Sequence, residues 1–173
     1  ADLADEEFQQ RLRDDSFAFD ANVYAPACDT LTRAREVQTV GGPPPLRSEA
    51  FPEGLPHLSG SNLMRVEAAN KFLEFTFDEI EDDILFERGA VLESPRRSWL
   101  WRFPRALALR SISEWDSYEY DACCWFAARF KPQTFDSNIE ELGMIRAACL
   151  HIHSPDEWKS LPASCCSRKV FAT

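Results

Sequence analysis

Apolar residues change their spacing several times along this chain, and each change predicts an element. Leu3, Phe8 and Leu12 recur at loosely helical intervals, predicting a helix from Leu3 to Asp14. Phe17, Phe19, Ala21 and Val23 then alternate, predicting a strand from Phe17 to Tyr24 that stops at Pro26. No period holds from Asp29 to Gly60, where Gly41-Gly42-Pro43-Pro44-Pro45, Pro52 and Pro56 interrupt any regular element. A loop this long in a compact domain is usually functional or held by a partner. Ser61 is placed to cap the next element, and Val66, Ala69, Phe72, Leu73, Phe77, Ile80 and Ile84 predict the longest helix, from Leu63 to Phe86. The acidic run Asp78 to Asp83 is expected on its solvated face.

Beyond that helix, Gly89 to Leu92 reads as a short buried strand stopped by Ser94-Pro95. Trp99 to Arg110 reads as a helix kinked at Pro104. Tyr118 to Trp125 reads as a strand with Phe126 to Phe135 as its antiparallel neighbour, and Asn138 to Leu150 as a helix. Helices interleaved with strands and followed by a strand pair define an α/β domain with a partly parallel sheet. Ligands of such sheets lie beyond the carboxyl ends of the strands, where Cys28 and Glu93 fall. One domain spans 1–173, with a Pro-rich loop at 29–60 and an irregular tail at 151–173.

Composition narrows the function. A chain of 173 residues with 45% apolar content, five Trp and thirteen Phe can bury a real core and is not disordered. A net charge of −10 disfavours a general nucleic-acid binder, although Arg96, Arg97, Arg102, Arg105 and Arg110 concentrate positive charge locally. Those arginines are expected to solvate a helix face or to pair with carboxylates. No run is long and apolar enough to cross a bilayer. Six Cys without a small-scaffold pattern read mostly as reduced thiols. The chain opens on Ala1 and carries Met only at 64 and 144, so it is expected to be processed or to be part of a longer polypeptide.

Three segments carry candidate chemistry in order: Ala25-Pro26-Ala27-Cys28 with Thr30 to Arg35, then Leu92-Glu93-Ser94-Pro95, then Arg129-Phe130-Lys131. Methylating a cytosine ring carbon needs a thiolate that adds to the ring, an acid that hydrogen-bonds a ring nitrogen, and a pocket for a flipped base. Arg33 or Arg35 is placed to lower the pKa of the Cys28 thiol. Further motifs are Gly42-Pro43-Pro44-Pro45-Leu46-Arg47-Ser48, Pro52-x-Gly54-Leu55-Pro56-x-Leu58, Ala69-Asn70, Ser98-Trp99-Leu100-Trp101, Tyr120-Asp121-Ala122-Cys123, Lys131-Pro132-Gln133-Thr134 and Cys149-x-His151-x-His153.

Taken together, from about Phe17 to Thr173, these motifs resemble a cytosine-5 DNA methyltransferase-like module of the kind found in retroelement-type polyproteins of dinoflagellate algae. The resemblance implies a truncated Rossmann-like methyltransferase sheet, mostly parallel with a C-terminal antiparallel hairpin and helices on its faces. It implies Cys28 as nucleophile, Glu93 as acid, and Arg129 or Lys131 near the base or phosphate. Departures accompany it. Ala27-Cys28 replaces Pro-Cys, Glu93-Ser94 replaces Glu-Asn, and the basic motif keeps only Arg129 and Lys131. No Gly-rich loop for S-adenosylmethionine precedes Cys28 in this sequence.

Each residue also has a plainer reading. Cys28 can be an ordinary buried thiol at a strand end. Ser94 and Pro95 can cap a helix. Trp99, Trp101 and Phe103 can be core or partner contacts instead of a base-stacking shelf. Cys149, His151 and His153 are candidate zinc ligands, with Cys165 or Cys166 as the fourth. The expectation is a degenerate, non-catalytic accessory or scaffold subunit of a larger protein assembly, without cofactor, contacting its partners through 29–60 and Trp99/Trp101. An organelle, chloroplast or mitochondrion, is its expected compartment. The alternative is a cytosine-5 DNA methyltransferase fragment whose S-adenosylmethionine-binding part lies on another segment or chain.

Overall fold

The computed structural model describes residues 5–36, 42–125 and 131–150. Its elements are helix α1 (Glu6–Ser16), strand β1 (Ala21–Tyr24), helix α2 (Gly60–Leu85), strand β2 (Gly89–Pro95), helix α3 (Pro104–Leu109), and strands β3 (Asp116–Asp121) and β4 (Pro132–Ser137). Short 3₁₀ turns lie at Arg33–Glu36, Trp99–Arg102, Ala122–Trp125 and Glu140–Ile145. The four strands form one mixed sheet in the order β1-β2-β4-β3. The chain is therefore α/β. β1 and β2 pair in parallel, joined through α2, and β4 lies antiparallel to both β2 and β3, so β1, β2 and β3 run one way and β4 runs against them. The sheet is mixed, with the expected antiparallel pair at its C-terminal end: one pairing, β1–β2, is parallel, and the two made by β4 are antiparallel.

Alternation along the strands sorts side chains onto two faces. Ala90 and Leu92 of β2 face α2 and α3, closing a core with Leu73, Phe77, Ile80, Leu100, Phe103 and Leu109. Trp99 and Trp101 belong to that core, at 4% and 6% exposure. Of the two plainer readings of this stripe, core or partner contact, these positions are core. On the opposite face, Val91 and Tyr118 are buried and the guanidinium of Arg146 lies 4.9 Å from the Tyr118 ring centre.

Several boundaries move for identifiable reasons. Trp99 to Arg110 is not one kinked helix, because Pro104 takes the first position of α3 and Phe103 precedes it in extended conformation. Ser94 and Pro95 lie within β2, opposite Thr134 and Gln133, so they cap nothing. Ser98 caps instead, accepting the Leu100 N–H. The helix expected from Asn138 to Leu150 is a 3₁₀ turn ending at Ile145, and Met144 and Leu150 are exposed. Tyr118 to Trp125 shortens to a strand that ends at Asp121.

The acidic run of α2 divides between solvent and interior. Asp78 and Glu81 are exposed partners of Arg105, but Glu79 and Asp83, four residues apart, point inward at 4% and 0% exposure. Asp83 accepts hydrogen bonds from Tyr24 Oη at 2.7 Å, Asn22 Nδ2 at 3.1 Å and Arg88 Nε at 2.8 Å. One buried carboxylate thereby ties β1 to α2 and to the turn before β2. Burial and this carboxylate push the Tyr24 phenol well above its ordinary value.

Candidate functional site

Tyr24 of β1 pairs with Leu92 of β2 in parallel register, so both strands leave the sheet at the same end. Cys28 follows four residues after Tyr24 and Glu93 one after Leu92. Cys28 therefore lies beyond the carboxyl end of β1, whereas Glu93 lies inside β2, two residues before its end at Pro95. Cys28 is exposed, which removes the buried-thiol reading.

The turn that carries it is firmly held. The Leu31 and Thr32 N–H groups both donate to the Cys28 carbonyl, at 3.1 and 2.8 Å. Asp29 accepts from Arg65 at 2.7 Å and from Arg35 at 3.3 Å, and the Arg65 hydrogen bond leads in holding its carboxyl below the ordinary value. Leu31 is fully buried and its carbonyl accepts the Trp99 N–H at 2.8 Å. Arg33 stacks 4.0 Å over the Trp99 ring and pairs with Glu36 at 3.2 Å. Each of the two arginines expected to polarise the Cys28 thiol is engaged with another carboxylate of this chain.

Glu93 points to the face opposite Leu92, where its carboxylate accepts a close hydrogen bond from Gln133 Nε2 of β4. Its charge, together with burial, raises the pKa of Tyr120 on the same face. The next residue, Ser94, stands where the resemblance expects an amide. It is 1% exposed, and its hydroxyl has no hydrogen-bond partner among the described residues. Arg129 lies outside the described residues.

A cavity of about 260 Å³ opens at the end of β2 on the Leu92 face. Arg33, Arg96, Arg97, Arg102 and Arg110 surround it, over Trp99 and Trp101, with Glu119 and Thr134. Strand alternation puts Thr134, the partner of Ser94, on one face and Glu93 on the other, so the acid candidate does not enter this cavity. Its positive charge is largely matched. Arg96 lies 3.1 Å from both Glu119 and Asp121, Arg102 lies 3.2 Å from Glu49, and Arg110 grips the buried Asp136 through two bonds of 2.6 and 3.0 Å. Arg97 makes no ion pair among the described residues. The arginine cluster and its pairing could be read from the sequence, but the cavity could not.

The Pro-rich stretch expected to await a partner packs onto its own domain where it is described, at 29–36 and 42–60. Leu46 and Arg47 are 1% and 2% exposed. The Arg47 guanidinium donates to Thr30 O at 3.1 Å, Thr30 Oγ1 at 2.8 Å, Pro52 O at 2.7 Å and Asn70 Oδ1 at 2.8 Å. Burial draws its pKa down to about 10, which leaves it charged at neutral pH. One buried cation thus fastens two points of the loop to α2.

Of the predicted zinc ligands, His151 and His153 lie outside the described residues, as do Cys165 and Cys166. Cys149 is described, and it meets Cys123 and Cys124, the three sulfur atoms lying within 4.8 Å of one another. Loss of hydration and the neighbouring Cys149 and Cys124 thiols push the Cys123 thiol up to about 11. The adjacent Cys123-Cys124 pair was visible in the sequence, but its meeting with a residue 25 positions further on was not. Comparison with known protein families, with characterised proteins and with solved structures finds no match to this chain.

Proposed function

We propose that this chain is a methyltransferase-derived domain that binds without catalysing, an accessory or scaffold subunit of a larger protein assembly. The observation that carries the reading is the engagement of its catalytic strip: Glu93 is bonded to Gln133, Arg35 to Asp29, and Arg33 to Trp99 and Glu36. A general acid, or a cation that activates a thiol, must be free to meet the substrate or the thiol. Here both are locked to neighbours on the same chain. The strand order supports the ancestry. A Rossmann-like methyltransferase sheet reduced to its later strands would retain a parallel pair followed by a hairpin whose last strand lies inside the sheet.

Support for the binding role comes from the β1 side. The outer edge of β1 is unpaired within the described residues, and Phe19 and Val23 are 60% and 69% exposed beside it. An open edge with apolar side chains is a template for strand or surface pairing. The organellar compartment rests on the dinoflagellate resemblance alone, and imaging of the tagged full-length protein tests it.

A second reading is favoured by one observation, the exposure of Cys28 four residues beyond the end of β1. On it, the chain is the base-handling part of a cytosine methyltransferase, and the S-adenosylmethionine-binding part lies on another segment or chain. Calorimetric titration of the chain with S-adenosylmethionine tests the leading reading, which expects no saturable binding. Stoichiometric binding that supports methyl transfer to DNA overturns it.

A further inference from the structure

We propose that Cys123, Cys124 and Cys149 together bind one thiophilic metal ion, Zn²⁺, as a three-thiolate clamp between the end of β3 and the segment that follows the last 3₁₀ turn. Their sulfur atoms already lie within 4.8 Å of one another. Zn–S bonds of about 2.3 Å place two sulfurs of a tetrahedral ion about 3.8 Å apart, so a closure on the order of 1 Å brings all three onto one ion.

The backbone around the thiols is built to hold that geometry. The Asp121 N–H donates to Ala147 O at 2.8 Å, and the Cys149 N–H donates to Asp121 Oδ2 at 2.7 Å. Trp125 Nε1 donates to Ile145 O at 3.1 Å, and Tyr120 bridges Ala147 in parallel fashion. Two stretches far apart in sequence are thus fixed against each other on both sides of the sulfurs. All three cysteines are partly buried, sheltered from bulk solvent yet within reach of an ion.

The donor set chooses the metal. Three soft sulfurs disfavour Mg²⁺ and Ca²⁺, which require oxygen ligands. Zn²⁺ displaces three thiol protons, and the resulting unit carries one net negative charge, with a fourth position for water or another donor. Because the ion binds the folded arrangement, it stabilises the β3–β4 end of the sheet by linkage. The site is independent of the methyltransferase reading.

The test is titration of the full-length, reduced protein with Zn²⁺ against a chromophoric chelator, repeated with Co²⁺ as an optical probe. One equivalent is expected to bind, with intense sulfur-to-cobalt charge-transfer absorption and a rise in Tm. Cys149→Ser and Cys124→Ser are each expected to lose about a hundredfold or more in affinity, while Cys28→Ser binds as the wild type does. Should either variant fail to fold, the Co²⁺ charge-transfer intensity of the wild-type protein still counts the thiolates, and three are expected. No stoichiometric binding overturns the proposal. So does binding that survives loss of Cys149 and Cys124 but not Cys165→Ser with Cys166→Ser.

Discussion

Replacing Arg47 by Met tests whether the long loop belongs to this domain or awaits another. The side chain is 2% exposed and its four hydrogen bonds reach Thr30, Pro52 and Asn70. Methionine keeps much of the apolar stem and removes every donor. Four acceptors then lose a charged donor inside the protein, each costing about 1–3 kcal/mol if left dry. Water admitted at the loop surface recovers part of this, and removing a buried charge recovers some desolvation cost. We therefore expect a net loss of about 3–4 kcal/mol, a large share of the ~5–15 kcal/mol stability of an ordinary domain. Urea unfolding followed by tryptophan fluorescence measures it as a lower midpoint at unchanged m-value. Proteolysis between Pro43 and Leu58 should accelerate in parallel, because these residues are the ones released. Arg47→Lys should recover only part of the loss, since an ammonium cannot reproduce the planar fork of donors. A loss below about 1 kcal/mol, with unchanged proteolysis, refutes the clamp.

Asp83→Ala removes the buried acceptor shared by Tyr24, Asn22 and Arg88 and leaves the half-buried Arg88 without its carboxylate, so a loss of about 3 kcal/mol is expected by chemical denaturation. Glu79 gives a pH signature. Burial, the largest influence, raises its pKa above 4.5, and Arg13 and Ser16 offset this only in part. The folded state therefore holds the proton more tightly than the unfolded chain, and stability falls as pH rises from about 4.5 through the raised value. Glu79→Gln should remove that component of the slope in denaturation midpoints taken across the window. Gly54→Ala should cost about 1–3 kcal/mol by thermal unfolding, because Gly54 has φ +134° and a Cβ would lie 2.7 Å from Val66 Cγ1.

Much of the fold could be read from periodicity where burial follows it. The helical spacing of Val66, Leu73, Phe77 and Ile80 marks α2, and each of these residues is buried. The strand before α2 and the strand after it then form the parallel pair, as a crossover helix requires. Periodicity misled at Asn138 to Leu150, where Ile139, Leu142 and Ile145 have helical spacing but are only partly buried, and Gly143 interrupts the run. Buried charge was illegible for a different reason. Arg47, Glu79 and Asp83 look like surface residues, and several of the partners that make their burial tolerable lie 17 to 66 residues away. The candidate site was legible in part: Cys28 follows β1 and Glu93 lies in β2, its parallel neighbour. That Gln133 would take the Glu93 carboxylate depends on the β2–β4 register, which no local pattern announces.

The central claim, that the strip no longer performs chemistry, is tested most directly at the Cys28 sulfur. An oligonucleotide carrying 5-azacytosine presents an activated ring that a competent thiolate attacks without help from the methyl donor, and intact-protein mass spectrometry detects the covalent product. We predict no adduct beyond the level seen with Cys28→Ser. A stoichiometric adduct that Cys28→Ser abolishes and Glu93→Gln weakens would contradict the account and establish a working nucleophile and acid in this chain.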